Sequence, residues 1–165
     1  QQPQQISKHE QRSNMKSEAV LQRAAQVCAD RGGKLTTKRR QVLAGLLASD
    51  KALSAYDLAD KCKEAFGVTL FPMSIYRILE FLQTVGLVHR LKTTNKFIAC
   101  AHIACDHAHD TPQFLICREC NRVEEVGIAN SLSEGLAKTL DALGFRLMND
   151  QVELECVCHN CSATA

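Results

Sequence analysis

No apolar run in this chain of 165 residues approaches the ~18 that a membrane-spanning helix needs. The first fifteen residues hold no hydrophobic stretch and no Arg-rich amphipathic pattern, so neither a secretory leader nor a transit peptide is expected. A His-Glu-x-x-His helix and a nucleophile motif are absent too. A zinc hydrolase needs three ligands, an open position holding water and a nearby general base; His107, His109 and Glu125 can be imagined in those roles, but no motif frames them. The expectation is a soluble, cytoplasmic protein that is not an enzyme and does not meet a membrane. Residues 1–15 read as a disordered tail or cloning remnant, with Met15 as a natural start.

Net charge is also scarce, at +2, but that balance hides a division. Residues 16–100 carry 14 Lys and Arg against 7 Asp and Glu, whereas residues 101–165 carry 4 against 10. A basic half joined to an acidic one suggests that the first meets a polyanion, which disfavours a zinc-knuckle protein adaptor.

The basic half parses into helices. Lys16 to Asp30 carries Val20, Leu21, Ala24 and Val27 near helical spacing and stops at Gly32-Gly33. Thr36 or Thr37 can cap a second helix whose buried stripe is Val42, Leu43, Leu46 and Leu47. Its first turn holds Lys38, Arg39 and Arg40, cations that oppose the helix dipole and would be relieved by a nearby phosphate. Ser54 with Asp57 forms a variant capping box for a third helix ending at Gly67, and Pro72 opens a fourth that runs to Gly86. Leu87 to Leu91 and Lys96 to Cys100 then read as a hairpin. Short helices closed by a hairpin describe a winged helix-turn-helix, whose last helix enters the major groove of double-stranded DNA N-terminus first. On its outer face lie Ser74, Tyr76 and Arg77. Arg77 can donate twice to guanine N7 and O6 or contact a phosphate, and Tyr76 can meet a thymine methyl or serve as a packing residue.

Nine cysteines are the chain's main surplus. Cys117-Arg118-Glu119-Cys120 and Cys158-His159-Asn160-Cys161 are two hooks that can close a tetrahedral thiolate cage on Zn²⁺, a structural site with no open position. A disulfide reading is weaker, because the cysteine count is odd, and a redox motif would need one hook only. The gap of 37 residues between hooks requires an intervening unit. Gln113 to Cys117 and Arg122 to Val126 read as strands around the first hook, Leu132, Leu136, Leu140 and Leu143 as the stripe of a helix covering the sheet, and Phe145 to Val157 as the strand that delivers the second. One sheet covered by one helix leaves a face open, which a twofold homodimer would bury. Cys156 competes with Cys158, although only Cys158 keeps the hook spacing. Between the halves, Cys100, His102, Cys105, Asp106, His107, His109 and Asp110 form a ligand-dense stretch suited to a second, exchangeable metal.

The expected class is therefore α+β, with a winged-helix domain at 16–100, a metal-ligand-rich hinge at 101–112 and a small α/β dimerisation domain with a Cys₄ zinc site at 113–165. Leu53-Ser54-Ala55-Tyr56-Asp57-Leu58, Pro72 through Tyr76-Arg77 to Gly86-Leu87-Val88-His89, the wing ending at Cys100 and the paired hooks resemble the ferric uptake regulator family, in its zinc uptake regulator branch. The resemblance spans Ser17 to Cys161 and implies a dimeric repressor that binds AT-rich inverted-repeat operator DNA when zinc-loaded and shuts off zinc-import genes. It implies a structural zinc on Cys117, Cys120, Cys158 and Cys161, and a sensing zinc on His89, Cys100, His109 and Glu125. His107 is the alternative to His109, and His102 and Cys105 are competitors. Tyr56 and Arg77 match operator-contacting positions. A thiolate ligand favours Zn²⁺ over Mn²⁺ and excludes Fe²⁺ less firmly. The resemblance leaves iron, manganese or peroxide sensing as the alternatives within the family.

Overall fold

The computed structural model describes residues 8–105, 112–127, 130–148 and 151–163. The chain divides into two compact units, residues 1–106 and 107–165.

The first unit runs α1 (Lys8–Asp30), α2 (Thr37–Leu47), α3 (Ala55–Phe66), α4 (Pro72–Thr84), β1 (Val88–Arg90) and β2 (Phe97–Ala99). Each start has a local cause. Thr36 caps α2 by accepting from the Arg39 amide. Ser54 and Asp57 form the full capping box of α3: the Asp57 amide donates to Ser54 Oγ at 3.1 Å and the Ser54 amide to Asp57 Oδ2 at 2.8 Å. Pro72 at the first turn of α4 gives up an amide that has no intrahelical partner. The buried faces Val42, Leu43 and Leu46 of α2, Leu58 and Cys62 of α3, and Ile75, Leu79 and Leu82 of α4 meet in one core. Full burial of such a side chain is worth about 1.5–3 kcal/mol. β1 and β2 pair antiparallel in the register Val88↔Ala99, His89↔Ile98, Arg90↔Phe97, and Leu53 bridges to Phe97, so the wing is sewn to the start of α3.

Two expectations change here. α1 begins at Lys8, inside the stretch read as a tail: Lys8, Glu10 and Gln11 are straight-chain helix formers, which propensity favours but apolar periodicity cannot detect. Ile103, expected in the hinge, is buried in the core of the first unit.

The second unit runs β3 (Gln113–Cys117), β4 (Val123–Val126), α5 (Asn130–Ala142), β5 (Val152–Cys156) and α6 (His159–Ser162). The sheet order is β4-β3-β5, with β3 antiparallel to β4 and parallel to β5. Parallel pairing aligns Cys117 with Cys156, which brings the chain after β5 to the knuckle after β3. The strand expected from Phe145 to Val157 is regular only over Val152–Cys156. Among the described residues the helix expected to cover the sheet does not do so: Leu136 is exposed, Leu143 is 67% exposed, and Phe145 and Leu147 beyond it are exposed too. Amphipathic spacing reports that a face must be covered, not by what.

The capping box yields a test. Hydrogen bonds from the Ser54 amide and then its hydroxyl hold the Asp57 carboxyl below its usual range. Because the folded pKa is the lower one, this stabilisation is complete above the unfolded carboxylate range and is lost as pH falls through the folded value. Ser54→Ala is expected to cost about 1 kcal/mol in urea unfolding at neutral pH, with a smaller difference from the parent at pH 3; equal stability at neutral pH would remove the box from the account.

Candidate metal centres and nucleic-acid interface

The two hooks converge. Cys117 ends β3 and Cys120 closes the turn that follows, where Asn121 takes a left-handed φ of 61° and donates its amide to the Cys117 carbonyl at 2.8 Å. The Arg118 amide donates to the Cys156 carbonyl at 3.0 Å, tying the knuckle to β5. Cys158 is the N-cap of α6 and Cys161 lies on its first turn. All four sulfurs lie within 4.8 Å of one another, and Cys120 Sγ is 3.8 Å from Cys158 Sγ. A disulfide would need about 2.05 Å, and none of the nine cysteines forms one. A tetrahedron with Zn–S of about 2.3 Å has an edge of about 3.8 Å. Cys156, the competitor, turns its thiol toward the Leu154 carbonyl at 3.6 Å.

The acid-base chemistry of this cluster fits a cation. The Cys120 amide, and then the Cys158 amide at 3.3 Å from Sγ, bring the Cys117 thiol down to about 6. Sharing its proton with the Cys158 sulfur, burial, and the neighbouring Cys120 and Cys117 push Cys161 up to about 12. One thiolate is welcome at this spot and a fourth is refused unless a positive ion sits among them. The donor set thus suits Zn²⁺, and four thiolates leave no position for a substrate.

On the wing, His89 on β1 lies opposite Ile98, so Cys100 is its diagonal neighbour on the same face of the hairpin. A His89 ring nitrogen and Cys100 Sγ lie within 4.8 Å. Cys100 is 3% exposed, donates its amide to the Leu87 carbonyl at 2.9 Å, and receives the His102 amide on its sulfur at 3.4 Å. Imidazole beside a buried thiol that already accepts an amide is a donor pair suited to a borderline metal ion. Glu125, in the second unit, sits on β4 opposite Phe114 of β3 and is half-buried. His107 and His109 lie outside the described residues, and the competitors His102 and Cys105 are half-buried in the turn after β2.

The outer face of α4 carries Ser74, Tyr76 and Arg77, all exposed, opposite buried Ile75 and Leu79. The Tyr76 ring leans edge-on against Phe97 of the wing, with centroids 6.3 Å apart, and still keeps part of its surface in solvent. Tyr56, on the first turn of α3, is 66% exposed. Arg39 is differently engaged: its guanidinium lies 3.4 Å over the Phe81 ring and donates to the Lys34 carbonyl at 2.7 Å. That ring also lies close under Gly33, where a Cβ would come within 2.8 Å of it. Arg39 therefore joins α2, α4 and the α1–α2 turn, a role that charge patterning alone does not reveal. Sequence reasoning also passed over Phe71 and Met73, large apolar residues exposed at the start of α4.

A model of the ferric uptake regulator family matches residues 30–155. The zinc uptake regulation protein of Escherichia coli (strain K12) is 32% identical over 145 residues, covering 88% of this chain and 82% of that protein. Among solved structures, a zinc uptake regulator complexed with zinc and DNA superposes with a TM-score of 0.77 at 31% identity, covering 90% of this chain and 96% of the other. The holo form of XcZur gives 0.70 at 33% identity, covering 87% and 96%.

If the four sulfurs hold the ion, Cys120→Ser should lose a zinc that survives mild chelation of the parent, and Cys156→Ser should keep it. Elemental analysis after dialysis against a weak chelator reads both; retention of that zinc by Cys120→Ser would break the assignment.

Proposed function

The chain belongs to the ferric uptake regulator family, and we propose that within it the protein is a zinc-responsive transcriptional repressor: a cytoplasmic homodimer that, when zinc-loaded, binds AT-rich inverted-repeat operator DNA and represses zinc-uptake genes. The observation that carries this reading is the wing, where a His89 nitrogen and the Cys100 sulfur lie within 4.8 Å of each other beside the helix that would read DNA. In this reading His89 and Cys100 hold the sensing zinc together with His109 and Glu125, and Cys117, Cys120, Cys158 and Cys161 hold the structural zinc. Zinc held there would place a divalent charge on a mixed imidazole, thiolate and carboxylate donor set. A thiolate in the sensing set favours zinc over manganese.

Tyr56, Ser74, Tyr76 and Arg77 are the operator-facing side chains, supported by their exposure on α3 and α4. Arg39, in the first turn of α2, is the fifth proposed contact, a phosphate anchor whose guanidinium also packs over Phe81. The exposed apolar residues of α5 and the chain beyond it support a homodimer, since a face of this kind on a small domain is stable only when covered. The closed Cys₄ set, with no open coordination position, supports a regulator over an enzyme. No helix among the described residues is long and apolar enough to cross a membrane, which agrees with a cytoplasmic DNA-binding protein.

Coupling between an effector and a ligand of this kind is about 1–3 kcal/mol, roughly 5- to 150-fold in operator affinity. Two measurements test the proposal. Purified protein should carry about two Zn²⁺ per chain, one removed by mild chelation, and zinc should tighten operator binding within that range in a mobility-shift titration. Cys100→Ser should abolish most of the zinc dependence while leaving the dimer and thermal unfolding near those of the parent. Unchanged zinc dependence in that variant would exclude Cys100 from sensing; equal DNA binding by apo and loaded parent would end the repressor reading.

A further inference from the structure

At the N-terminus of α4 the sequence places large apolar residues where solubility favours polar ones. Phe71, the N-cap, is 72% exposed and makes no side-chain capping bond, and Met73, two residues on, is 68% exposed. Ser, Thr, Asp or Asn at the cap would have satisfied an amide, so phenylalanine there is locally unfavourable. Met73 stands three and four residues before Tyr76 and Arg77, so the three share one face of the helix, opposite the buried Ile75 and Leu79. This face is therefore a stripe: apolar at the leading tip, aromatic behind it, cationic beside the aromatic.

We infer that Met73, on the leading turn that Phe71 caps, is a specificity-determining contact that reads thymine through its 5-methyl group in the major groove of the operator. The inference rests on the repressor reading and deepens it. Charge selects the occupant. The first turn of α4 contains no acidic residue and is the positive end of the helix dipole, Arg77 lies on the same face, and residues 16–100 carry 14 basic against 7 acidic groups. A polyanion is attracted to such a surface. The one apolar feature that duplex DNA shows in its major groove is the thymine methyl. A flexible thioether suits that target, because it adapts its shape to a small protruding methyl and presents no donor or acceptor that the groove would leave unsatisfied. Arg77 reads guanine or holds phosphate from the same face, so the stripe combines an anchor with a hydrocarbon sensor, and the preference of Met73 for thymine over uracil arises from the methyl.

Replacement of thymine by uracil removes that methyl and leaves the pairing edge intact. The probe is a duplex selected from a random pool by the zinc-loaded parent protein, with each thymine of one half-site replaced singly by deoxyuridine. The parent is expected to lose about fourfold in affinity at one or two positions, the value of one buried carbon on the transfer scale. Met73→Ala should bind the thymine and uracil duplexes equally, at about the parent's affinity for uracil, while Met73→Leu restores discrimination. Equal binding of both duplexes by the parent, or undiminished discrimination by Met73→Ala together with Phe71→Ala, overturns the inference while zinc-dependent binding to the selected duplex leaves the repressor reading standing. If zinc-loaded parent retains no duplex from the pool, both fall together.

Discussion

Four sulfurs that converge on one point are the constraint from which the second unit follows. Its described core is small, with Phe114, Ile116, Cys117 and Val123 as the buried apolar residues of a three-stranded sheet. A sheet of that size gains little from burial and needs a cross-link. The parallel pairing of β3 with β5 supplies the geometry by aligning Cys117 with Cys156, so that two residues later Cys158 caps α6 with its amide on the Cys117 sulfur. The knuckle amides favour one thiolate, and its neighbours oppose the rest. The arrangement therefore suits a cation, whose binding energy would become folding energy.

A similar requirement is repeated at a larger scale. Leu136 and Leu143 in and just after α5, with Phe145, Leu147 and Met148 beyond, offer water a run of apolar surface that the chain's own sheet does not cover. A monomer with such a surface would be poorly soluble, whereas a twofold partner buries it on both copies at once. In the proposed reading a metal would close the sheet from within and a second chain would cover the apolar face from without. Neither substitutes for the other, because the thiolates need charge and the leucines need hydrocarbon.

Most of the first unit was legible because its signals are local. Ser54 with Asp57, Pro72 and the glycine stops are capping chemistry, and the stripes on α2 and α4 follow a 3.6-residue period that packing then uses unchanged. The Cys₄ set was legible for a similar reason, since hook spacing dictates reach. What failed was non-local or without pattern. The start of α1 is polar and helical by propensity alone. The covering helix was read correctly as amphipathic and wrongly as paired with its own sheet, because period carries no partner. Arg39 reads as a phosphate anchor from its place in a first turn, and the Phe81 ring beneath it adds a packing role that charge patterning does not reveal. Tyr56 has no periodic signature and entered through family resemblance. Phe71 and Met73 are apolar residues outside any buried stripe, and exposure, the property that marks them, is not written in the sequence.

The wing is the mechanical link between metal and DNA in this reading. α4 ends at Thr84, and only Val85, Gly86 and Leu87 separate it from β1. That turn is stiff: Gly86 holds a φ of 75° and donates to the Gln83 carbonyl at 2.9 Å, and the Leu87 amide donates to Leu82 at the same distance. A side chain at Gly86 would meet an unfavourable backbone conformation, whereas its nearest neighbour, Arg31 at 3.5 Å, is at ordinary contact distance. The Cys100 amide, just after β2, donates to the Leu87 carbonyl, so His89 in β1 and Cys100 sit on the two arms of one short hairpin that follows α4. An ion held by this pair would act on a hairpin hydrogen-bonded to the end of the reading helix, with Tyr76 resting on Phe97 as a second contact between them. Linkage makes the relation reciprocal: whatever operator contact by Tyr76 and Arg77 does to fix α4 must also fix the wing, and so tighten its hold on the ion by the same free energy.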